Sequence, residues 1–200
     1  LTYRSWFRRH PTDIEVALWL GNNELEEGLF SEAREYFEAV IELRPNNLEA
    51  LHGLAKVAAG EGNDDEALRL FSRILALEKD HIPSALVMAR DLSEKGDDDQ
   101  AWAFLQRVLN QNPDHEEAKA LALPVLKKLA RGYEGEFATA WWEQVLSIAP
   151  EDPDALKALA RNVVEQVDAT PAERIEAHTQ VLAADPTDVE SRLFLAEQAC

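Results

Sequence analysis

Cysteine is almost missing: the single Cys200 in 200 residues excludes an internal disulfide and any thiolate metal cluster. Basic residues are also scarce. Twenty Lys and Arg against 38 Asp and Glu leave a formal net charge of -18 at pH 7. That balance excludes nonspecific nucleic-acid binding, which needs clustered Lys and Arg to displace counterions from phosphates, and it disfavours anionic membrane surfaces. No apolar run approaches the roughly 20 residues that cross a bilayer, so no direct membrane insertion is expected. No signal peptide is visible at the start. A phosphate-binding G-x-x-x-x-G-K-[ST] loop, a G-x-G-x-x-G turn, H-E-x-x-H and G-x-S-x-G are all lacking, so the chain is expected to be no enzyme and to need no cofactor. The histidines His10, His52, His81, His115 and His178 lack metal-pair spacing and are read as surface or capping residues. The acidic clusters "NDDE" (63–66) and "GDDDQ" (96–100) lack the alternating ligands and terminal Glu of a calcium loop. Acids there suit helix N-termini, and no metal site is expected.

What the chain has is repetition. A ruler of Pro11, Pro45, Lys79, Pro113, Pro150 and Pro186 is spaced by 34, 34, 34, 37 and 36 residues. Each mark is followed by a short acidic or amide-rich turn and a new apolar-periodic segment. Thr12 with Glu15, Asn46 with Glu49, Asp114 with Glu117, and Thr187 with Glu190 have the spacing of capping boxes. Every unit therefore reads helix, turn, helix.

The second helix of each unit carries the clearest pattern. Ala33 and Phe37 recur as Ala67 and Phe71, Ala101 and Leu105, and Ala138 and Trp142. A small residue lets the first helix approach closely, and a large one a turn later fills the groove beside it. The first helices carry Leu20-Gly21, Leu54-Ala55, Met88-Ala89 and Leu195-Ala196 at matching places, and Gly28, Gly62 and Gly96 fall where left-handed backbone closes the hairpin.

These positions resemble the tetratricopeptide repeat, with its Leu-Gly, Ala, aromatic and Pro over 34 residues. The resemblance spans essentially the whole chain, strongest in 14–115 and weakest in 153–188, where Arg174 and His178 replace the small and aromatic residues. It implies an all-α fold: a right-handed superhelical solenoid of antiparallel helix pairs. The expected divisions are a second helix of a truncated repeat (1–13), repeats 14–47, 48–81 and 82–115, an irregular repeat 116–152, a degenerate repeat 153–188, and a truncated first helix (189–200). A solenoid unit buries its face only against neighbours and normally ends in a polar cap. With no such cap visible, a fragment of a longer array is expected, or self-association through exposed repeat ends. Pro124, inside "EEAKALALPVLKKLARGYEG", predicts a kink between 116 and 136. Trp142 lies on the ladder, and core positions are expected for most of the tryptophans.

In such arrays the first helices line a concave groove, which implies the partner-binding residues. They are Leu18, Asn22, His52, Lys56, Leu86, Arg90, Lys127, Lys157 and Arg161, with Cys200 at the last groove place. Lys56, Arg90, Lys127, Lys157 and Arg161 form a basic inner stripe in an acidic chain, with Glu15, Glu49, Glu117, Asp154 and Glu190 along its edge. Like charges set close together cost stability unless an anion relieves them, so a protein or peptide partner with acidic side chains is expected. A chaperone-type clamp on a C-terminal carboxylate is not expected: only Asn22 fits, and the other required places hold Leu18, Gly53, Pro83 and Val87. The function implied is a scaffold or adaptor that takes a partner segment in the groove. The alternative is a regulatory or targeting region of a larger enzyme or of a bacterial polysaccharide export or secretion machine. A soluble location in a bacterial cytoplasm or periplasm is expected.

Overall fold

A computed structural model describes residues 2–165 and 169–198. Cys200 lies outside the described residues. Those residues form twelve helices and no strand. The chain divides into two compact units, one ending at Asp91 and the other beginning at Leu92.

The first unit holds α1 (Tyr3–Phe7), α2 (Ile14–Glu26), α3 (Phe30–Leu43), α4 (Leu48–Gly60), α5 (Asp64–Leu77) and most of α6 (Ile82–Lys95). Turns of a few residues join consecutive helices, which pack as α2 on α3, α3 on α4 and α4 on α5, the arrangement of antiparallel hairpins. The core is the ladder. Ala33, Phe37 and Val40 of α3 are fully buried and cluster with Ala17, Ala50, Leu54 and Val57 of the flanking helices. Phe37 sets the spacing. A Cβ on Gly21 would come within 2.7 Å of its ring and one on Gly53 within 2.4 Å, so two helices reach one aromatic only because both lack a side chain there. Ala67, Phe71 and Ile74 repeat the arrangement with Leu51, Ala55 and Ala58.

The hairpins of α2 with α3 and of α4 with α5 close the same way. Gly28 and Gly62 take φ of 74° and 76°, the left-handed region that glycine enters without steric cost. The next residue's N–H reaches back into the last helical turn, Leu29 to Glu24 O and Asn63 to Ala58 O, both at 2.8 Å. At the opposite ends the caps sit one residue later than the sequence spacing predicts. Asp13 accepts from Val16 N–H and Asn47 from Ala50 N–H, so Glu15 and Glu49 stand at the second helical position and have no cap N–H to reach back to. Among the described residues a capping box forms at Thr170 with Glu173.

The second unit continues with α7 (Asp98–Gln111), α8 (Glu116–Gly132), α9 (Gly135–Ile148), α10 (Pro153–Glu165), α11 (Pro171–Ala184) and α12 (Val189–Gln198). Successive helices again pack pairwise. Ala101, Leu105, Trp142 and Val145 are buried. The helix α8 has 17 residues where α4 has 13, and it runs through Pro124 without interruption. His178, expected at the surface, is buried instead at 4% exposure. It stacks on Phe194 at 4.0 Å between centroids, and its Nδ1 lies 2.9 Å from Ser191 Oγ. In this degenerate repeat the imidazole fills the aromatic's place, with a hydroxyl partner for its polar edge.

Candidate functional site

In the first unit, α2 and α4 present neighbouring faces. Leu18 is half-buried and packs on the core, while Asn22 reaches from α2 to α4 and donates from Nδ2 to Glu49 Oε1 at 2.9 Å. One turn along α4, His52 is half-buried, 5.4 Å from the His81 ring and 6.0 Å from Phe71. Burial, with positive Lys56 and then His81 adding to it, brings the His52 pKa down to about 4, so the ring is neutral at pH 7. Lys56 itself is exposed. Arg90 is exposed on α6, but Leu86 is at 5% exposure and belongs to the core. It therefore offers a partner no apolar contact.

In the second unit the predicted bases are present on the first helices, but they are engaged. Lys127 Nζ lies 2.6 Å from Asp152 Oδ2 and 3.1 Å from Asp154 Oδ2. Arg131 also reaches Asp154, at 2.9 Å. From α10, Lys157 pairs with Asp185, and Arg161 pairs with Asp188 at 2.6 Å. The relief that like charges demand thus comes from acids at or just before the start of the next first helix. The hydrogen bond from Lys127, with its charge and that of Arg131, holds the Asp154 carboxyl below its ordinary range. For Asp188 the main cause is the backbone and hydroxyl of Ser191, with Arg161 adding to it.

One offset recurs. Asn22–Glu49, Lys127–Asp154 and Arg161–Asp188 are all 27 residues apart. The donor lies midway along one first helix and the acceptor at the start of the next, so these contacts tie repeat to repeat.

The tryptophans divide. Trp102 and Trp142 are core, whereas Trp19 is 50% exposed and Trp6 is also on the surface. Trp19 lines an open cavity of about 390 Å³ together with Glu15, Leu18, Asn22, Asn23, Glu26 and Glu49. Tyr3 from α1 packs its ring 4.4 Å from the indole. Periodicity could not find this site, because Trp19 lies one place away from the buried stripe of α2 and reads as helix-borne like the others. No group of three or more His, Cys, Asp or Glu side chains that could hold a metal ion occurs among the described residues. No described helix is long and apolar enough to cross a membrane.

Paired helices burying small-and-large ladders, with first helices presenting polar and aromatic side chains, define a helical-repeat scaffold for protein–protein interaction. The Tetratricopeptide repeat family model matches residues 24–90 and 58–123, together half of the chain, and the protein belongs to that family. No curated protein matches the chain significantly. Solved structures do. YrrB, described as a TPR protein with an unusual peptide-binding site, is 16% identical with a TM-score of 0.60, over 100% of this chain and 99% of its own. A tetratricopeptide repeat protein from Parabacteroides merdae ATCC 43184 is 12% identical with a TM-score of 0.57, over 99% and 90%. MamA is 18% identical with a TM-score of 0.54, over 88% and 94%. At these identities the likeness concerns the fold.

Proposed function

We propose that the chain is a recruiting module that takes an extended or helical segment of a partner protein on its first-helix faces and performs no catalysis. The observation carrying this reading is the cavity between α2 and α4, where Trp19 is left half in water beside polar groups. A large aromatic at the rim of a concave, partly polar surface is the composition that anchors partner side chains. The solved peptide-binding relative YrrB supports the same use. An acidic partner segment is less well supported, because it would have to displace Asp152, Asp154, Asp185 and Asp188 from Lys127, Lys157 and Arg161.

The test is peptide display against the whole chain, followed by amide hydrogen exchange with a selected peptide bound. Slowed exchange is expected in α2 and α4, with α3 and α5 unchanged. Slowing confined to α3, α5, α7 or α9 would remove this reading.

A further inference from the structure

We propose that the α2–α4 cavity is a receptor for an arginine side chain carried by a basic peptide segment. This deepens the peptide-binding reading above and rests on it. Three features of the cavity converge on a guanidinium. Its walls supply Glu49 and, at opposite ends of α2, Glu15 and Glu26, with no base among the lining residues. Its lining includes Trp19, against whose ring Tyr3 packs from α1 at 4.4 Å. Indole is the strongest aromatic partner for a cation, and guanidinium both stacks on an aromatic plane and forks onto carboxylates.

The third feature is the placing of the acids. Glu15 and Glu49 lie in the first turns of α2 and α4, where the helix dipole favours a carboxylate and accounts for them without a ligand. Glu26 is the last residue of α2, and no base stands in that last turn. A negative charge there opposes the dipole, as Glu42 does in the last turn of α3, and a cation in the cavity would relieve it. Nearby Arg4 is already committed, its three hydrogen bonds to Glu24 going to a carboxylate at 1% exposure. About 390 Å³ holds an arginine side chain with adjoining backbone. The net charge of -18 would steer a basic segment toward the chain from a distance.

The experiment titrates short fluorescein-labelled peptides in which arginine, lysine or glutamate alternates with serine, followed by polarisation at two salt concentrations. Four chains are compared: the natural one, Trp19→Ala, Glu26→Lys, and Asp65→Lys on the exposed surface of α5, which makes the same charge change as Glu26→Lys away from the cavity. All three altered positions are exposed, and circular dichroism checks that the helices persist. The arginine peptide is expected to bind the natural chain more tightly than the lysine peptide, with the glutamate peptide weakest. Trp19→Ala should weaken it about tenfold, and Glu26→Lys should weaken it several times more than Asp65→Lys does. Absence of arginine-peptide binding, indifference to Trp19→Ala, or equal effects of the two lysine variants would overturn the proposal, the last two by reducing it to the bulk field of an acidic protein. If displayed peptides slow exchange in α2 and α4 yet carry no arginine and ignore Trp19→Ala, this proposal fails while the peptide-binding reading stands.

Discussion

His52 shows how one side chain couples packing to proton binding. Its imidazole leans on Phe71 and faces His81, with Lys56 one turn along the same helix. Burial first, then Lys56 and His81, bring its pKa from the ordinary 6.5 to about 4 in the folded chain. The unfolded chain therefore takes up the proton first as pH falls. The contribution of this group is complete above about 6.5 and is lost as the pH drops toward 4. Replacing His52 with Gln should flatten part of the fall in urea midpoint between neutral and about pH 5. An unchanged pH profile in His52→Gln would show that the ring titrates as freely in the folded chain as in the unfolded one.

Among the elements, α3 carries the closest packing, because Phe37 is clasped by backbone at Gly21 and Gly53. Gly53→Ala would normally help a helix by nearly 1 kcal/mol. Here the new methyl would stand 2.4 Å from the Phe37 ring, and overpacking of this kind costs about 1–3 kcal/mol. Net destabilisation in urea unfolding is the expected outcome, and a rise in midpoint would show that α3 and α4 can separate cheaply. This ladder was legible in the sequence, since burial at 3.6-residue periodicity writes itself into residue size: Ala33, Phe37, Ala67 and Phe71 stand in the core as their spacing implies. The caps were legible only to within one residue, because Thr12 and Asp13, or Asn46 and Asn47, are both competent oxygen acceptors and the local backbone decides between them. The engagement of Lys127, Lys157 and Arg161 was not legible, since it depends on how one repeat stacks on the next. The exposure of Trp19 escaped because it stands one place from the buried stripe of α2, where a helix-borne indole reads as core.

At the scale of the whole molecule, stability should be uneven, as expected of an array whose units bury surface only against neighbours. The helix α4 buries seven residues, whereas Ser191 is the one buried residue of α12. Of the largest fully buried side chains, Phe37, Leu51, Ile74, Leu105 and Leu126 all precede α9, and beyond it Val181 alone follows α10. Native-state amide exchange should accordingly release α1, which buries no residue, and α10, α11 and α12 first and α4 last. Uniform protection along the chain would mean that the units unfold as one cooperative body. The 27-residue ties have a further consequence. Because each runs from the middle of one repeat to the threshold of the next, a gene duplication that copies one such repeat would install the brace at its new junction without any fresh mutation, so the array could lengthen by recombination while keeping the new joint stitched.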